Sequence, residues 1–282
     1  MLLAEPPSTA YDLRFRILGI SVRVTPFFWV AAAVLGWDLA LGLDQEVSRA
    51  GPVSPEYAPL INSNPGQGIL LAIWVAAVFV SVLVHELGHA LVMRYYGIDS
   101  YIVLYHFGGL AVPDHPGMFA RSRGFASPGQ QIAISAAGPV AQLLLAAILI
   151  LALILSGSAI LFDVPFFGRW LPVTDGQQIP SMPLQTAVYF LICPSIVWAL
   201  LNLLPVYPLD GGQIARELFT GFNVRDGIRN SLILSVATGV GVALYAFLQN
   251  DIFLAMFFAM LAYSSYQILQ AYSGRGGFGG PW

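Results

Sequence analysis

The chain has 282 residues, of which 57% are apolar and only 10% are charged, and its mean hydropathy is +0.73. Soluble domains are about 45–50% apolar and about 25% charged, so this composition excludes a conventional soluble enzyme. The net charge of −3 offers no basic surface for nucleic acid, and the single Cys193 excludes an intramolecular disulfide. Lipid is therefore expected to solvate most of the chain.

Two segments outside the long apolar runs are predicted to be extended. Apolar and polar side chains alternate on either side of Gly19, which is typical of a β-hairpin, and we expect residues 1–25 to form a small hairpin on the membrane surface. Residues 101–112 contain Gly108 and Gly109 and are too few to cross a bilayer as a helix. A second hairpin, reaching into the protein, is expected there.

Six apolar runs have the length of about 20 residues that a membrane-spanning helix needs: 26–43, 69–93, 131–156, 184–204, 230–249 and 252–272. They predict an all-α polytopic membrane protein with six transmembrane helices and small membrane-surface β elements near the N-terminus and after the second helix. Residues 26–272 are expected to form the intramembrane domain, and the Gly-rich residues 273–282 a disordered tail. Asp38 lies inside the first run, and three explanations stay open: snorkelling, a polar partner or a water path.

The arginines predict the orientation, because cytoplasmic loops carry an excess of basic residues. With the six runs taken as spans, one side of the membrane collects ten arginines and the other only Arg49 and Arg169. Both termini are therefore expected in the cytoplasm, and the expected location is the bacterial inner (plasma) membrane.

The cytoplasmic end of the second predicted helix carries the pentad His85-Glu86-Leu87-Gly88-His89. Residues four apart share a helix face, so both imidazoles can bind one Zn²⁺, and Glu86 is placed to take a proton from water at the metal. Charged groups cost about 2.5–3.5 kcal/mol each at the centre of a membrane helix, so ionisable residues there are functional by default. A buried polar network that packs the helices together is the alternative.

A catalytic zinc site usually has three protein ligands. Asp210 is the favoured third ligand, because Pro205 and Pro208 end the helix before it and the following two glycines permit an unusual backbone. Irregular backbone at membrane depth is tolerated only when it is buried in protein or lines a wet cavity. A turn-forming aspartate is the alternative. The other candidates are Asp99, His106, Asp114, His115 and Glu217.

HELGH in one span and LNLLPVYPLDGG after a later one closely resemble the site-2 protease family of intramembrane zinc metalloproteases. FRILGISVRV near the start, FGGLAVPD after the motif helix and SAAGPVAQLLLA in the third span are also similar to that family. The resemblance covers most of the chain. It suggests a short form, without the PDZ insert and CBS tail of many relatives.

Carried over by position, the resemblance implies one Zn²⁺ per chain with His85, His89 and Asp210 as ligands and Glu86 as general base. It further implies that Asn202 contacts the substrate or steadies the oxyanion. The expected substrate is a single-pass membrane protein, such as an anti-sigma factor, a membrane-tethered transcription factor or a remnant signal peptide. Nucleic acid is not an expected partner.

Gly108 and Gly109 are expected to bind the substrate, if the segment around them pairs with an extended peptide as an added strand. Three other interpretations stay open. A different membrane metalloprotease would use Glu217 as its third ligand, a metal transporter or metal-binding protein would need a polar path across the membrane, and an inactive relative would act as a chaperone.

Overall fold

The computed structural model describes residues 5–50, 57–106, 108–114, 127–162, 173, 176–223 and 226–274. The chain forms two compact units, one from Met1–Asp114 and Val140–Ala199 and the other from His115–Pro139 and Leu200–Trp282. In chain order, the elements are β1 (Leu13–Ile17), β2 (Ile20–Val24), α1 (Pro26–Ala50), α2 (Ala58–Asn62), α3 (Gln67–Tyr95), β3 (Ser100–Tyr105), β4 (Gly108–Pro113), α4 (Pro128–Ser156), β5 (Ser158–Ala159), β6 (Gln177–Gln178), α5 (Met182–Asn202), α6 (Asp210–Phe222), α7 (Gly227–Leu248) and α8 (Ile252–Gly274).

Six of the described helices are long and apolar enough to cross a membrane, which confirms the predicted fold class. They are α1, α3, α4, α5, α7 and α8, and each coincides with one of the predicted spans. Their apolar surfaces identify the chain as an integral membrane protein. The last helix continues to Gly274, and residues 275–282 of the predicted tail lie outside the described residues.

Both predicted hairpins are present, and they join into one four-stranded sheet of the first unit, in the order β1-β2-β3-β4. The β1–β2 turn places Leu18 and Gly19 at φ values of 52° and 80°, as a tight two-residue hairpin turn requires. The two hairpins are linked by parallel pairing of β2 with β3, in which Val22 lies opposite Ile102. The local sequence patterns that predict the two hairpins carry no signal for this long-range pairing.

The first unit is held together by close packing between α1 and α3. A Cβ at Gly36 would overlap the Trp74 indole, so α1 approaches α3 as closely as glycine allows. The indole Nε1 of Trp74 donates a hydrogen bond to the Ala32 carbonyl at 2.8 Å. Buried Trp74 also packs edge-on against Phe190 of α5, with ring centroids 5.1 Å apart. These contacts fix α3, the helix that carries the HELGH motif.

Residues 5–12 are docked on the sheet by polar contacts. Asp12 accepts hydrogen bonds from the Thr9 hydroxyl at 2.6 Å and from Nη1 of Arg23 at 3.1 Å. Arg23 also donates to Glu5 at 2.7 Å, and Glu5 accepts a further hydrogen bond from the Tyr101 hydroxyl at 2.7 Å. The Thr9 hydroxyl, with help from Arg23, lowers the pKa of Asp12 to about 2.

The second unit contains a helix where the sequence predicts irregular chain. Helix α6 begins at Asp210, has only 13 residues and is amphipathic, so the six apolar runs do not reveal it. It packs on α7, and α7 pairs with α8, where Gly239 lies against Ala262. Buried Val206, Phe258 and Leu261 form a small apolar cluster in this unit.

Candidate metal centre

The HELGH motif lies in the second half of α3, inside the first unit. His85, Glu86 and His89 are 6%, 5% and 8% exposed, so three ionisable side chains are buried in a largely apolar helix. The two imidazoles lie on one face, as the spacing of four residues predicts, and their Nε2 atoms are 3.0 Å apart. Two ring nitrogens that converge in this way are suited to bind one metal ion.

A glutamine on α4 contacts the first histidine. Nδ1 of His85 lies 2.9 Å from Oε1 of Gln142, which is only 1% exposed. Nε2 of Gln142 donates in turn to the Ser81 hydroxyl at 2.9 Å. Sequence reasoning missed Gln142, because 57 residues separate it from His85 and it belongs to no ligand motif.

The edge of the sheet lies directly against Glu86. A Cβ at Gly109 of β4 would overlap the Glu86 side chain, so any larger residue here would force that side chain to move. Tyr105, which lies opposite Gly108 in the β3–β4 register, is buried near the same carboxylate. Burial, together with the Glu86 charge, raises the pKa of the Tyr105 phenol to about 12. The hairpin therefore meets α3 at the predicted general base.

Asp210 belongs to the second unit, where it is the first residue of α6 and is 7% exposed. A Cβ at either of the next two residues, Gly211 or Gly212, would overlap the backbone of the turn before the helix. The same turn is fixed at Tyr207, whose N–H donates to Ser235 at 3.1 Å and whose carbonyl accepts from Ser265 at 3.0 Å. The two glycines thus let α6 begin in a tightly packed turn, with the carboxylate buried.

The other candidate metal ligands, and Asn202, which is predicted to contact the substrate or the oxyanion, differ from this pattern. Asp99, His106 and Asp114 are exposed in the first unit, and the His106 ring packs edge-on against Phe27. Glu217 is half-buried on α6, and Asn202 is half-buried at the end of α5. His115 lies outside the described residues. Among those that are described, His85, His89 and Asp210 combine burial with ligand atoms that suit a metal ion.

Asp38, the unexplained charge of the first span, lies on α1 with its side chain exposed. Its neighbours on the same surface include Val34 and Trp37, which are also exposed. No hydrogen bond or salt bridge joins Asp38 to another side chain within the part of the chain that the structure describes.

Six apolar helices among the described residues, with an HExxH motif buried in the second of them, define a polytopic membrane protein of the metallopeptidase class. Residues 73–248 match the model of peptidase family M50. A putative zinc metalloprotease of Synechocystis, sll0528, is 33% identical over 206 residues, or 70% of this chain and 44% of that relative. The putative zinc metalloprotease Rip3 of Mycobacterium tuberculosis is 28% identical over 76% of this chain and 45% of its own length.

A solved structure, the site-2 protease from Methanocaldococcus jannaschii, has 23% identity and a TM-score of 0.49, with 92% of this chain and 95% of that chain covered. The family model matches more than half of the length of this chain, which therefore belongs to peptidase family M50. The predicted family and enzyme class, and zinc as the metal of that class, are thereby confirmed. The chain spans less than half the length of the two curated relatives described above.

Proposed function

We propose that the chain hydrolyses a peptide bond in or beside a transmembrane segment of another membrane protein. The observation that carries the proposal is the buried HELGH motif on a membrane-spanning helix, where Glu86 lies beside two convergent imidazoles. Its membrane setting limits the substrates to chains that reach the same depth. A single-pass membrane protein is the simplest such substrate.

Zn²⁺ would be held by His85, His89 and Asp210. Two imidazole nitrogens and one carboxylate oxygen form a donor set that zinc prefers, and all three side chains are buried. His85 is also hydrogen-bonded to Gln142 through Nδ1, the ring nitrogen that would not bind the metal, and such a bond is typical of metal-binding histidines. When bound, zinc polarises the scissile carbonyl and lowers the pKa of water to about 7.

Glu86 would act as general base and then as general acid. Its carboxylate takes a proton from the attacking water and passes that proton to the amine that leaves. Burial favours this role, because it keeps bulk water away from the carboxylate. Asn202 would donate a hydrogen bond to the oxyanion, a contribution typically worth about 10²–10³ in rate.

The substrate would bind as an extended strand along β4. Helical carbonyls are hydrogen-bonded and sterically covered, so a transmembrane helix must unwind before it is cleaved. Among the described strands, β4 is the last of its sheet, and its residues Gly108 and Gly109 lack side chains that would hinder an added strand. Because Gly109 touches Glu86, a peptide paired there would run past the general base.

The membrane orientation follows from the arginines. In the sequence, ten of the twelve arginines fall on one side of the six predicted spans, so both termini and the end of α3 near Arg94 would face the cytoplasm. At about 1.5 Å per residue, His89 and His85 lie about 7 and 13 Å from Arg94 along the helix. Cleavage is therefore expected on the cytoplasmic side, in the inner membrane of a bacterial cell.

The decisive experiment is Glu86→Gln in the full chain. The amide keeps the size of the side chain and cannot take a proton, so zinc content stays at the wild-type value while cleavage falls by about 10²–10⁴-fold. Zinc is measured by mass spectrometry of the purified protein, and cleavage by proteomics of fragments released from membranes. A metal transporter would instead keep its transport and release no fragments in either form.

The third ligand is tested by two separate substitutions on α6. Asp210→Ala is expected to remove bound zinc, because it deletes one of three protein ligands. Glu217→Ala changes a half-buried carboxylate seven residues later on the same helix and is expected to leave zinc in place. The reverse result would assign the chain to the other type of membrane metalloprotease.

A further inference from the structure

A chain of buried polar side chains extends from the HELGH motif into the first unit. His85 contacts Gln142, Gln142 contacts Ser81, and Ser81 contacts Ser195, with separations of 2.9, 2.9 and 3.0 Å. These four residues are 6%, 1%, 1% and 0% exposed, and they come from α3, α4 and α5. Buried polar groups cost free energy unless they are hydrogen-bonded. In this chain of contacts, each side chain is hydrogen-bonded to the one that follows it.

The orientation of the Gln142 amide is determined by its neighbours. Its nitrogen lies 2.9 Å from the Ser81 hydroxyl and 3.3 Å from the Ser81 carbonyl, and both oxygens can accept a hydrogen bond. A rotated amide would place its oxygen against that carbonyl, where neither atom can donate. The oxygen of Gln142 therefore faces His85.

This orientation determines the tautomer of His85. An amide oxygen only accepts, so Nδ1 of His85 must carry the proton that it donates to Gln142. In a neutral imidazole the lone pair then belongs to Nε2, the atom that faces His89 at 3.0 Å. The lone pair is thus directed at the place where a metal ion would bind both rings.

We propose that Gln142 is a positioning residue for the metal centre, and that Ser81 and Ser195 hold its amide in the required orientation. The inference rests on the proposed zinc site, whose ligand His85 it concerns. Hydrogen bonds to the second nitrogen of a metal-binding histidine fix the ring and its tautomer, and their loss typically lowers metal affinity by about 10–100-fold. The serines would act on His85 only through Gln142.

The test is Gln142→Leu in the full chain, purified in detergent and titrated with Zn²⁺ against a chelator. We expect zinc affinity to fall by about 10–100-fold. The control is Gln185→Leu, which removes another fully buried glutamine of the same unit, one that bonds to the backbone of Leu161 and Ile179. Gln185→Leu is expected to lower the melting temperature and to leave zinc affinity unchanged.

Gln142→Glu separates positioning from packing. One oxygen of its carboxylate still accepts from Nδ1 of His85, while the other replaces the donor to the Ser81 carbonyl, so zinc affinity is expected to exceed that of Gln142→Leu. Visible spectra of the Co²⁺-loaded protein give a second measurement, because they respond to the arrangement of the ligands. The bands should shift in Gln142→Leu and remain unchanged in Gln185→Leu.

If Gln142→Leu does not fold, Ser81→Ala takes its place. That variant removes one of the two acceptors of the Gln142 amide and is expected to weaken zinc binding by a smaller factor. Wild-type affinity and Co²⁺ spectra in Gln142→Leu, or in Ser81→Ala where it replaces that variant, would overturn the inference and leave the zinc site intact. Failure of the wild-type chain to bind zinc would instead overturn the proposed function itself.

Discussion

Replacing Gly109 with alanine should displace the general base without touching the zinc ligands. The three atoms nearest to an ideal Cβ at this position all belong to the Glu86 side chain, and Cδ would lie only 2.6 Å away. Ordinary Cβ contacts begin at 3.4 Å. The carboxylate must therefore shift by about 1 Å, a displacement that can lower the rate of a catalysed step by about 10²-fold.

The rate is measured with labelled single-pass transmembrane peptides, reconstituted in vesicles with the full chain. Gly109→Ala should lower cleavage by about 10²-fold while zinc content stays at the wild-type value. Gly68→Ala is the matched control, because Gly68 lies on the same helix as Glu86 and its Cβ would meet no atom within 4 Å. Cleavage at the wild-type rate by folded, zinc-loaded Gly109→Ala would refute the reasoning.

Three further predictions concern the two units separately. Gly211→Ala should lower zinc content, because its Cβ would overlap carbonyl groups of the turn that holds Asp210; full occupancy would contradict this. Gly36→Ala should destabilise the chain by about 1–3 kcal/mol in denaturant unfolding, since its Cβ would overlap Trp74, and an unchanged midpoint would show that the helices can separate freely. The carboxylate of Asp12, with its pKa lowered to about 2, should stabilise the docked residues 5–12 fully above its ordinary value of 3.8. That stabilisation is lost as pH falls through about 2, so amide hydrogen exchange there should accelerate beyond its intrinsic pH dependence, and Asp12→Asn should abolish the effect.

Much of the fold is local and can be predicted from the sequence. Each of the six apolar runs is long enough to span a bilayer on its own, and each becomes a helix. Alternating side chains predict the first hairpin, and the glycine pair in a segment too short to span as a helix predicts the second. Both predictions succeed because the strand partners are close in sequence. The spacing of His85 and His89 likewise predicts their shared face, since the period of the helix alone determines it.

Helix α6 could not be predicted in the same way. It is short and amphipathic, so no hydropathy criterion for a membrane span detects it. It begins at Asp210, and the structural need for Gly211 and Gly212 arises from the turn against which they pack. The sequence indicated an irregular, buried segment there, and the packing of the turn decided where the helix starts.

Sequence alone indicated the class of this protein: a resemblance to a membrane metallopeptidase family, six apolar runs that the structure describes as long helices, and His85, Glu86 and His89 on one of them. Tertiary structure decided what surrounds that motif. The parallel pairing of β2 with β3 unites two hairpins, and the packing of β4 on α3 brings Gly109 against Glu86. Gln142 reaches His85 from another helix, 57 residues away. Such contacts depend on how elements that are far apart in the sequence pack together, and neither hydropathy nor periodicity predicts that packing.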